Sequence, residues 1–109
     1  MGKFLVLYHA PVSAREMMAA STPEQMKEGM DAWMGWAQRN EGAVVELGAP
    51  LGDRARLGAS EDDGHITGYS VVEAESQDAA VELLKDHPHL HMQEGTSIEA
   101  LEFLPLPGT

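Results

Sequence analysis

Residues Lys3–His9 read KFLVLYH, and both alternating sets of this run are apolar: Phe4, Val6 and Tyr8 on one, Leu5 and Leu7 on the other. Successive strand side chains point to opposite faces, so a run apolar on both sets is a strand covered on both sides. That puts it in the middle of a sheet. His65–Glu75, HITGYSVVEAE, repeats the signal with β-branched and aromatic residues on both faces, giving a second central strand. Ala43–Gly48 (AVVELG) reads as a short strand. Thr96–Leu106 (TSIEALEFLPL) reads as an edge strand that carries Glu99 and Glu102 and is shut off by Pro105 and Pro107.

Two helices fit between these strands. Thr22 is the N-cap of the first, Pro23 takes the first helical position, and Gln25 completes a capping box. Met26, Met30, Trp33, Met34 and Ala37 then fall on one apolar stripe, and Asn40 to Gly42 end the helix. The residues leading up to Thr22 read as a polar approach. Ser76 caps the second helix, on which Ala80, Leu83, Leu84 and His87 share a face; Pro88 stops it, having no donor and turning His87 away from helical angles. Ala49–Gly64 reads as a long connection with a short extended piece at Arg54–Leu57, and Glu61, Asp62 and Asp63 as a solvated turn.

The order is βαββαβ. This predicts an α+β, ferredoxin-like domain over residues 1–109, an antiparallel four-stranded sheet with two helices on one face. The helices leave the other apolar face bare, and a second copy of the same sheet is the simplest cover, so a homodimer through the sheet face is expected.

Composition narrows the partners. Seven Lys and Arg against eighteen Asp and Glu give a formal charge of −11, a surface that repels phosphate backbones and anionic lipid. No nucleic acid and no membrane partner is expected. The chain has no cysteine, which removes disulfides, thiolate nucleophiles and Cys-ligated zinc and fits a reducing compartment. The opening MGKFLVLYHAP has no long apolar h-region, and Val6 stands where myristoylation requires Ser or Thr. A cytoplasmic, soluble protein is the expectation.

The succession FLVLYHAP, STPEQMKEGMDAWMGWA, VELGAPLG, ITGYSVVEAES, AVELLKDHPHL and SIEALEFLPLPG resembles the YCII-related (DGPF-type) domain family over nearly the whole chain. The resemblance implies a dimeric α/β barrel, related to small monooxygenase-type and muconolactone-isomerase-type subunits. The better-studied branch uses a His–Asp pair whose histidine lies on the first helix. Here the corresponding stretch, GMDAWMGWA, holds Asp31 and two tryptophans but no histidine, so the family's histidine is not carried over.

The residues suggest where chemistry could sit. His87, His89 and His91 alternate behind Pro88; in an extended segment they would share one side at a spacing of roughly 6.5–7 Å, too wide for all three to bind one ion without bending. Imidazoles titrate near neutrality, so His87 or His89 could instead act as acid or base. The structural alternative has His87 finish the helix's apolar stripe, with His89 and His91 on a surface loop. His9 ends the first strand just before Ala10-Pro11, a favoured place for a pocket residue. Asp31 or Asp86 would orient the histidine. Tyr8, Trp33 and Tyr69, with the soft methionines, are the candidate ligand contacts, against ordinary core packing.

The first expectation is therefore a small enzyme needing no cofactor and no metal, in which one of His9, His87 and His89 moves a proton on a small organic molecule. The second is a module that binds a small ligand or a protein without catalysis. A metal- or haem-binding subunit using residues 87–91 is the third.

Overall fold

The computed structural model describes residues 1–58 and 64–108. Its elements are β1 (Gly2–Ala10), α1 (Ala14–Ala20), α2 (Pro23–Arg39), β2 (Val44–Pro50), β3 (His65–Ala74), α3 (Gln77–Leu84), a 3-10 turn at Pro88–His91, and β4 (Ser97–Glu102). The four strands form one antiparallel sheet in the order β2-β3-β1-β4. The two strands with apolar residues on both alternating sets, β1 and β3, are the inner pair. This α+β arrangement is compatible with a ferredoxin-like fold.

The core lies between one face of the sheet and the helices. Phe4, Val6 and Tyr8 of β1 and Val72 and Ala74 of β3 are buried against Trp36 of α2 and Ala80 and Leu84 of α3. Trp36 has no exposed surface, and its indole Nε1 donates to the Leu83 carbonyl at 3.1 Å, tying α2 to the end of α3. A buried tryptophan needs such a partner for its N–H. Leu5 and Leu7 point to the opposite face, beside Val71 and Tyr69 of β3 and Leu101 and Glu99 of β4. Both leucines are half-buried, and Leu101 is 42% exposed.

Local signals explain most boundaries. Thr22 and Gln25 form the reciprocal capping box, with backbone-to-side-chain distances of 3.1 and 2.9 Å. Ser76 accepts from the Ala79 N–H and starts α3. Gly48 sits in β2 at φ 84°, where a Cβ would lie 1.7 Å from the Tyr69 carbonyl oxygen. Only glycine lets β2 pass that close to β3, and the pairing register slips on either side of Glu46.

Three expectations need correction. The polar approach before Thr22 contains a helix, α1, so there are three α-helices among the described residues where two were expected; Ser13 caps it by accepting from the Glu16 N–H at 3.1 Å. The Met26, Met30 and Met34 stripe is not the packed face of α2. These side chains are 45%, 56% and 41% exposed, while Trp36 is buried and Trp33 and Ala37 pack against the core. The helix has rotated towards its two indoles, whose larger apolar surface gains more from burial than a flexible thioether. Arg54–Leu57 forms no strand. Residues Glu61, Asp62 and Asp63, read as a solvated turn, lie outside the described residues. No helix among the described residues is long and apolar enough to cross a membrane.

Candidate functional site

Where β1 ends and β4 begins, the surface forms a shallow cleft, widely open to solvent, of about 650 Å³. Its walls include His9, Pro11, Gly95, Ser97 and Glu99. His9 and Ser97 are cross-strand partners, and Glu99 pairs with Leu7 two residues further along. Side chains at His9 and Glu99 therefore leave the sheet on the same face, one diagonal apart. Their polar atoms meet: His9 Nε2 lies 2.9 Å from Glu99 Oε1, with the side chains 26% and 50% exposed. The β1–β3 register shifts here, Tyr8 pairing with Gly68 and His9 with Ile66, so the extra residue at this irregularity is Thr67 on β3.

Behind the cleft stands a buried cluster. His87 and His89 retain 0% and 2% exposure. The His89 backbone N–H donates to His87 Nδ1 at 3.0 Å, and His89 Nε2 lies 2.8 Å from the His9 carbonyl oxygen. Around His87 pack Trp33, Trp36 and Tyr8, with ring centroids 4.4, 4.5 and 4.9 Å away. Among the described residues, His87 Nε2 is the buried side-chain polar atom without a hydrogen-bond partner.

Burial sets the charge states. Desolvation pushes His87 down to about 3, helped by the neighbouring His89. His89 is lowered for the same first reason; hydrogen bonding with the backbone of His9 and then Ser97 opposes this, and the charge of His9 adds to it. Both rings are neutral at pH 7. Tyr8 donates its hydroxyl to Ser70 Oγ at 2.8 Å, and Ser70 in turn donates to the Leu47 carbonyl at 2.6 Å. Desolvation pushes the Tyr8 phenol up to about 12, the Ser70 bond offsetting part of the rise. It is a fixed donor, not a base.

The candidate residues fall into three places. His9 lines the cleft. Tyr8, Trp33, His87 and His89 form the buried cluster, so His89 does not lie on a surface loop as the structural alternative had it. Pro88 does not release the chain to solvent; it opens a 3-10 turn that carries His89 inward and leaves His91 exposed. The remaining candidates sit elsewhere. Asp31 is on the exposed side of α2, its carboxylate 2.9 Å from Lys27 Nζ, and Asp86 faces Arg39 at 3.8 Å. Tyr69 lies on the opposite face of the sheet from Tyr8 and donates its hydroxyl to Glu46. No group of three or more potential metal ligands occurs among the described residues.

Glu99 was not among the candidates. Its signal in the sequence was an acidic residue on an edge strand, which ordinarily serves to blunt that edge. Only the β1–β4 register brings it to His9. Comparison with models of known protein families gives no match, and comparison with curated proteins gives none.

Proposed function

We propose that the chain is a small enzyme of the YCII-related kind that uses His9 as general acid–base, with Glu99 as its orienting carboxylate, on a small organic molecule. The observation that carries this reading is the 2.9 Å approach of His9 Nε2 to Glu99 Oε1 on the wall of the cleft. A carboxylate bonded to one imidazole nitrogen fixes ring orientation and tautomer and stabilises the imidazolium once it takes a proton. His9 Nδ1 is then the nitrogen left to exchange a proton with a substrate.

The cleft's chemistry bears on the substrate class. Among the described residues lining it, His9 and Glu99 are the ionisable ones, and no Lys or Arg is present to hold an anion. Uncharged carbonyl compounds, lactones and enolisable ketones among them, suit it better than acids. A homodimer through the sheet face belongs to the same proposal. Leu5, Leu7, Val71 and Leu101 share that face with the pair, and a facing sheet would exclude water from both.

The test is proton exchange. A panel of uncharged lactones and enolisable ketones is incubated with the protein in deuterated buffer, and exchange at the carbon next to the carbonyl is followed by NMR. His9→Ala should slow exchange by about 10²–10⁴-fold, the range typical of a positioned acid–base group. Equal rates for the parent protein and His9→Ala would end the catalytic reading. A non-catalytic ligand-binding module is the alternative, and the exposure of the pair, 26% and 50%, favours it. Thermal stabilisation by a panel compound without exchange would support it.

A further inference from the structure

Two hydrogen bonds of the 3-10 turn determine where its imidazole protons sit. His87 Nδ1 accepts the His89 N–H at 3.0 Å, so that nitrogen keeps its lone pair and the proton of neutral His87 is on Nε2. His89 Nε2 faces the His9 carbonyl oxygen at 2.8 Å. A carbonyl can only accept, so the His89 proton is on Nε2 as well.

The turn that presents His89 is rigid. Pro88 presets its first dihedral, the Leu90 N–H returns to the His87 carbonyl at 3.1 Å, and the His87 ring is wedged among Trp33, Trp36 and Tyr8. The His89 N–H therefore points at one place. That place is the His9 backbone facing the bulge at Thr67 of β3, where the β1–β3 ladder is interrupted. Carbonyls at a bulge need donors from outside the ladder. The Tyr8 carbonyl takes one from the Thr67 hydroxyl at 3.2 Å, and the His9 carbonyl takes one from His89.

We infer that His89 is the positioning residue of the His9–Glu99 pair: its Nε2–H grips the His9 backbone from the core side while Glu99 grips the His9 ring from the cleft. The inference rests on the reading of that pair given under the proposed function. His89 lies behind the sheet with 2% exposure and reaches the pair through the backbone of His9, with the backbone of cleft-lining Ser97 as a weaker second contact. Losing its N–H would free the last residues of β1 opposite the bulge and let the His9 ring leave Glu99.

The experiment reads the His9 ring directly in protein labelled with nitrogen-15 at histidine. In the parent protein, Glu99→Gln should shift the His9 Nε2 resonance, which marks the pair. His89→Leu should give the same loss of the paired signature, and His89→Gln, which keeps an N–H of similar reach, should restore it. A purely structural His89 would lower the melting temperature in both variants and leave the His9 resonance at its parent value; that result overturns the inference. Should His89→Leu fail to fold, the parent spectrum decides: His89 protonated on Nε2 supports the inference, and His89 protonated on Nδ1 overturns it. If Glu99→Gln leaves His9 unshifted, the pair itself falls and the proposed function with it, an outcome distinct from a His89 failure.

Discussion

The indole of Trp33 stands edge-on to the imidazole of His87, centroids 4.4 Å apart and planes at 89°. With Trp36 and Tyr8 it surrounds a ring whose Nε2 has no conventional acceptor. Aromatic faces carry partial negative charge, and an N–H directed at one recovers a fraction of an ordinary hydrogen bond. A neutral imidazole can live in that setting. An imidazolium, needing solvent or a carboxylate, cannot.

Acid should therefore unfold the protein through His87. Its folded value is about 3 against an ordinary 6.5, so below pH 6.5 the unfolded chain takes up a proton that the folded chain refuses until about pH 3. Stability is full above pH 6.5 and falls as the pH drops through that window, by on the order of 5 kcal/mol for this group. Urea titrations at pH 7.5, 5.5 and 4.5 should show the decline. His87→Leu, which cannot be protonated, should flatten it.

Trp36→Phe should cost about 2–4 kcal/mol, because it opens space in the core and strips the Leu83 carbonyl of its donor. The check is the denaturation midpoint at unchanged m-value.

At Tyr8 a smaller change is expected. Tyr8→Phe removes the hydroxyl that donates to Ser70, but Ser70 keeps its own bond to the Leu47 carbonyl. A loss near 1 kcal/mol is the expected result. A loss above about 3 kcal/mol would mean that the phenol holds more than this one bond.

Gly48→Ala should weaken the β2–β3 edge by about 2–4 kcal/mol, since the new methyl would meet the Tyr69 carbonyl and force a residue with a Cβ to φ 84°. Hydrogen exchange should show the loss first in the Val44–Ala49 amides. Protection retained there would contradict it.

Much of the architecture was readable because local and global preferences agreed. Two-sided apolar runs located β1 and β3, and Thr22-Pro23 with Gln25 gave the start of α2 to the residue. The short helix α1 had a legible start in Ser13 and Glu16 but no long amphipathic period to advertise it. The methionine stripe misled because periodicity reports that a helix has an apolar side, not which of two adjoining apolar sides meets the sheet. Of the site, His9 was visible as a strand-end histidine. Its partner was not, because the His9–Glu99 contact spans ninety residues of sequence and exists only through the pairing of β1 with β4. His89 was visible as a histidine but not as a core residue, since a proline predicts where a helix ends and not where the following turn leads.

The outward rotation of Met26, Met30 and Met34 has a chemical consequence. Their sulfur atoms can meet peroxide without any opening of the fold, and none of the fully buried core side chains is a methionine. Oxidation to sulfoxide would thus polarise a helix surface already in contact with water and spare the packing around Trp36. The molecule wears its most oxidisable groups on the outside.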